Sequence, residues 1–97
     1  MTVTYNPNGL SSPVSVTTVA VEVAAVWGKR SIAIFKASAA NTHVIYLALD
    51  GTTASAAAHQ VVLSGGEGLV LDGGLAPGGA ISAIAASGTQ SLAYVEG

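Results

Sequence analysis

Cysteine is absent from this 97-residue chain, which excludes a disulfide framework and leaves the redox compartment open. Charge is almost absent as well. Lys29, Arg30 and Lys36 are the only basic side chains, and the net charge is −2. Binding a nucleic-acid backbone needs a cluster of Lys and Arg to displace counterions, so nucleic acid is not an expected partner. Aromatic residues make up 5% of the chain, too few to supply a broad stacking platform. Long apolar runs are missing too. The longest, residues 19–27, is interrupted by Glu22 and is too short to span a bilayer, so no membrane contact is expected. Residues 1–7 carry no basic region and no apolar run, unlike a signal peptide. The expectation is a protein made inside the cell, soluble or assembled.

What is present is equally unusual. Hydrophobic residues form 51% of the chain and charged residues 8%, against about 25% in typical domains. A domain of this length buries only about 60–65% of its unfolded surface, so much of the chain faces outward. With three basic and five acidic side chains, that surface must be Ser, Thr, Gly, Ala and exposed apolar groups. Such a surface hydrates poorly and suits contacts with other subunits.

Residues 1–13 (MTVTYNPNGLSSP) have little periodicity, and Pro7, Gly9 and Pro13 favour turns or extended chain. They read as a frayed terminus or as an extended N-terminal arm anchored on a neighbour by Tyr5 and Leu10. From residue 14 apolar residues recur with period two, the signature of strands with one buried face. Val14 and Val16 are even-numbered, whereas Val19, Val21, Val23, Ala25 and Trp27 are odd. One unbroken strand cannot bury both sets, which predicts a bulge or strand break at Thr17-Thr18.

Gly28-Lys29-Arg30 supplies a turn. Further strands are expected over residues 31–37, 43–49, 59–63, 69–72, 80–85 and 90–95. Gly-rich connections separate them at 64–68, 72–79 and 87–89, and Ala-rich residues 53–58 are too few for a stable helix and read as a loop. Short strands at this spacing predict an all-β domain over residues 14–97, a small antiparallel β-sandwich or jelly-roll-like barrel of about seven or eight strands. Strands 31–37, 43–49 and 80–85 are apolar on both faces. With Phe35 and Tyr46 among the outward candidates, partners are expected to cover them.

Residues that could carry chemistry are sparse. No G-x-S-x-G elbow occurs, and no catalytic residue is assigned. His43, His59 and Asp50 match no metal-ligand spacing, so no metal or other cofactor is expected. The Gly65-Gly66-Glu67-Gly68 cluster leads into a strand rather than a helix N-terminus, and Glu67 would repel phosphate, which favours a plain turn. Trp27-Gly28-Lys29-Arg30 is the one polar–aromatic concentration. It reads as a local cation–π contact or an interface anchor, since Trp and Arg are enriched at binding hot spots. The alternative function is a carbohydrate- or host-surface-binding module using Trp27 with Tyr46 or Tyr94.

Several segments carry a family resemblance: Lys29-Arg30-Ser31-Ile32-Ala33-Ile34, the strand VIYLALDGTTA (44–54), the L-x-x-G-E-x-L-x-L-D run (63–72) and the ending AISAIAASGTQSLAYVE (80–96). Over residues 29–96 the chain resembles a group of small phage-encoded virion structural proteins. It departs from them at Lys36-Ala37-Ser38, where Asn is usual, so the following hairpin is expected to differ. The resemblance implies a β-sandwich in a tailed-phage particle, decorating the capsid or completing a head or tail structure. Its partners would be other virion proteins, such as the capsid protein, and copies of itself. It carries over no catalytic residue.

Overall fold

The structure is a computed structural model that describes residues 14–97; the proposed 1–13 arm, with Tyr5 and Leu10, lies outside the described residues. Within them the strands are β1 (Val14–Val16), β2 (Val21–Ala24), β3 (Ile32–Ala37), β4 (Ile45–Ala48), β5 (Val61–Leu63), β6 (Gly68–Asp72), β7 (Ile81–Ala85) and β8 (Gln90–Glu96). A single 3₁₀ turn, Gly73–Leu75, follows β6. Two four-stranded sheets result. The first has the order β1-β8-β3-β6 and the second β2-β7-β4-β5.

The pairing is nested. β1 pairs with β8, β2 with β7, β3 with β6 and β4 with β5, all antiparallel. A long two-stranded ribbon closed by the β4–β5 connection would make these four pairs. Rolling that ribbon up adds β3·β8 and β4·β7 and completes both sheets. Eight strands in this order form a jelly-roll β-sandwich, as the period-two pattern led one to expect.

The core lies between the sheets. The first sheet contributes Val16, Ala33, Phe35, Ala37, Leu92 and Tyr94, and the second Ile45, Leu47, Leu63, Ile81, Ala83 and Ala85. Large and small side chains alternate across neighbouring strands. Ala37 lies beside Leu92, Ala83 beside Leu47 and Ala85 beside Ile45. Phe35 and Tyr94 are register partners whose rings pack tilted at 4.9 Å. Each fully buried Phe, Leu or Ile stabilises the fold by about 1.5–3 kcal/mol, so a handful of them sustain this thin sandwich.

The change of parity after Val16 has a definite cause. β1 ends there, and residues 17–20 carry the chain across to the opposite sheet, so a strand break is found where a bulge or break was expected. A register shift does occur, but inside β2, between Glu22 and Ala24. It lets both Val23 and Ala24 pack on the core. The odd-numbered set is not a single buried face. Val19 is 74% exposed in the crossing and Trp27 is 37% exposed beyond the end of β2. Phe35 also needs correcting: it faces inward and is fully buried, leaving Ile32, Ile34 and Lys36 on the outer side of β3. The reason is register, because the Ala33-Phe35-Ala37 parity lines up with Leu92 and Tyr94 of β8.

Candidate interaction surfaces

At one end of the sandwich the β2–β3, β4–β5 and β6–β7 connections come together with the end of β8. Arg30 joins three of these elements. Its Nε donates to Glu96 Oε1 at 3.2 Å, Nη1 to the carbonyls of Pro77 and Gly79, and Nη2 to Ala25 O at 2.7 Å. The planar guanidinium suits this convergence of acceptors, which an ammonium could not satisfy in the same geometry. Tyr94 adds an O–H bond to the same Glu96 oxygen at 2.8 Å. Burial, reinforced by that bond to Glu96, raises the phenol well above its ordinary value of 10.0. Arg30 itself is 5% exposed, so its side chain serves the fold rather than a neighbour's surface.

Trp27 and Lys29 sit on the outside of this node. A turn closes from Arg30 N–H to Trp27 O at 3.1 Å, and Trp27 N–H bonds Gly78 O at 3.0 Å. The Trp27 ring centroid lies 6.0 Å from the Arg30 guanidinium carbon, at the outer limit of a cation–π contact. Lys29 is exposed at the tip, and Val26 and Leu75 are exposed at this same end.

The outer face of the second sheet is partly covered by the chain itself. Tyr46 lies in register between Val62 and Ile84 on that face. Ala48 and Ser82, the next outward pair, lie under residues 51–58: Ala48 is fully buried, and Ala54 N–H bonds Ser82 Oγ at 3.0 Å. His59 packs on the Tyr46 ring at 4.5 Å while its Nδ1 lies 3.0 Å from Ser55 O. The doubly apolar strand 43–49 therefore finds much of its cover in the β4–β5 connection. Asp50 anchors that loop, accepting from Thr52 N–H at 3.1 Å and from Gln60 Nε2 at 3.3 Å. The hydrogen bonds from Thr52 hold its carboxyl below the ordinary value. A shallow depression between β2 and this loop is lined by Glu22, Thr52, Thr53 and Ser82, a hydroxyl-rich site with one carboxylate.

The outer face of the first sheet has no such cover among the described residues. Val95, Ile34 and Val70 stand in one register row across β8, β3 and β6, and Val70 is 49% exposed. Ala93, Lys36 and Gly68 form the row on one side, and Ile32 and Asp72 stand on the other.

The structure does not bring the remaining candidate residues together. Tyr94 is in the core, Tyr46 on the outer face of the second sheet and Trp27 at the Arg30 end, so the three do not form one stacking platform. His43 is exposed before β4, whereas Asp50 and His59 follow it and are engaged with Thr52, Gln60, Tyr46 and Ser55. Among the described residues, no three His, Cys, Asp or Glu side chains gather in a metal-holding group, and no helix is long and apolar enough to cross a membrane. Two structural side chains escaped the sequence reading. Asn41 pairs with both backbone groups of Ser91, and buried Gln90 binds Thr42 N–H and Ser87 O. The only signal in the sequence is an amide beside a strand end, which is too common to single out. Compared with known proteins, the chain matches no family model, no curated protein and no solved structure.

Proposed function

We propose that this protein is a non-enzymatic structural component of a phage particle, a capsid decoration or minor virion protein that acts by packing against other chains. One observation carries the packing part of this reading. The Val95–Ile34–Val70 row leaves apolar side chains on a sheet face that no other described residue covers, in a chain with too little charge to hydrate its surface. The virion setting rests on the resemblance of residues 29–96 to small phage structural proteins. Under this reading the partners are the capsid protein or other virion proteins and further copies of this chain, with no nucleic acid, membrane or cofactor involved. Trp27 and Lys29 at the Arg30 end and Tyr46 on the second sheet are additional contact points. Mass spectrometry of purified particles tests the proposal: the chain should be present at a fixed copy ratio to the capsid protein. Particles that lack it would overturn the virion reading.

A further inference from the structure

The two outer faces differ in a way that singles out one of them. Residues 51–58 lie over the second sheet, while none of the other described residues lies over β8, β3 and β6 of the first. The register fixes its layout. The central row is Val95, Ile34 and Val70; Lys36 lies one step to one side on β3, and Asp72 one step to the other on β6. Lys36 and Asp72 are both exposed, and the Lys36 ammonium donates to Gly66 O at 2.8 Å, which leaves it further donors.

We propose that this face packs on the same face of a second copy, about a two-fold axis that runs along the Val95–Ile34–Val70 row. The inference rests on the packing reading above and names its partner and geometry. Such an axis lays the apolar row on its own copy and exchanges the two flanks. Lys36 of one copy then lies over Ile32 and beside Asp72 of the other, and the contact is made twice by symmetry. Sheets pack about 10 Å apart and strands lie about 4.8 Å apart, a gap that a Lys and an Asp side chain bridge together. A two-fold axis along β3 would instead set Lys36 against Lys36, which like-charge repulsion disfavours. The charges therefore select one orientation out of two that bury the same apolar row.

The size of the patch sets the strength. The eight positions of these three rows cover about 260 Å² per copy, below the roughly 800 Å² per partner of a standard stable interface. The free protein should thus dimerise weakly, with a dissociation constant on the order of 0.1–1 mM, and the contact should count most where copies are already concentrated.

Sedimentation equilibrium and an amide NMR dilution series on the full chain, up to about 1 mM, test this. The expected result is a reversible dimer, with shifts confined to the outer positions of β3, β6 and β8. Val70→Lys should abolish the dimer. Lys36→Glu and Asp72→Lys should each weaken it at least tenfold, and the double variant should recover to within about threefold of the original, each protein melting as a folded domain. A wild-type monomer at the top concentration, or single charge changes that leave the dimer unaltered, would overturn the proposal. A monomer whose Ile34, Val70 and Val95 signals move on removal of residues 1–13 would also overturn it, by placing the chain's own N-terminal segment on the face. Failure here with the chain present in particles would leave the virion reading standing, with another partner on this surface.

Discussion

At Arg30, the guanidinium satisfies carbonyls of Ala25, Pro77 and Gly79 and the Glu96 carboxylate at once, at a position 5% exposed. Breaking such a node removes several charge-assisted bonds at once, because half-buried Pro77, Gly79 and Glu96 and the Ala25 carbonyl lose their donor together. Arg30→Lys should lower unfolding stability by about 2–4 kcal/mol, read as a shifted urea midpoint at unchanged slope. A shift within about 0.5 kcal/mol would show that water reaches these carbonyls freely. Tyr94 supplies a second prediction. Its phenol is raised in the folded state by burial and by its bond to Glu96, so the unfolded chain loses its proton first. The associated stability is intact below about pH 10, the unfolded value, and declines as pH climbs from there towards the raised folded value. Alkaline titration followed at the tyrosinate absorbance should show one tyrosine that ionises late or only with unfolding, and Tyr94→Phe should remove that step. None of this was legible beforehand. Arg30 and Glu96 lie at distant points of the sequence, and a lone Arg beside a Trp gives no sign of whether it faces solvent or a ring of carbonyls.

The strands themselves could be read from alternation, because inward Ala33, Phe35 and Ala37 and outward Ile34 and Lys36 follow the pleat. Their inward and outward senses were harder to read, since both parities of β3 carry large apolar side chains, Ile32 and Ile34 on one and Phe35 on the other, and the pairing with β8 decides between them. The β4–β5 connection was recognisable as a loop but not as a cover. Its Ala-rich sequence fits under no periodic template, and its role depends on Ser82 meeting Ala54 across the chain. Ser82→Ala should therefore loosen residues 51–58 specifically, costing about 1 kcal/mol and speeding amide exchange at Ala54 while exchange in β3 and β8 stays slow. Asp50 adds an acid dependence to the same element. Its folded value lies below the ordinary 3.8 owing chiefly to the Thr52 hydrogen bonds, so the anchoring is complete above that value and is lost as pH falls through the folded one. Exchange in the loop should rise only in strongly acidic solution, and Asp50→Asn should flatten that rise.

At the scale of the whole molecule the nested pairing has a kinetic consequence. β4 and β5 are close in sequence, with Leu47 opposite Val61, whereas β1 and β8 come from nearly opposite ends of the described chain, with Val16 opposite Gln90. Closing the larger loop first would cost about 1.5 kcal/mol more in chain entropy than closing the smaller. The ribbon should therefore form outward from the β4–β5 connection, and the β1·β8 pair should join after the rate-limiting step. Two core truncations separate the stages, because Leu47 and Val16 are both fully buried. Leu47→Ala, at about 2–5 kcal/mol, should chiefly slow folding, while Val16→Ala, at about 1–3 kcal/mol, should chiefly speed unfolding. Folding as a whole should take milliseconds to seconds, as for other domains dominated by distant β-pairings. Stopped-flow chevrons on the two variants would decide the order. If Val16→Ala slowed folding as strongly as Leu47→Ala, measured against their stability losses, the edge pair would already be formed at the barrier and the outward sequence of assembly would be wrong.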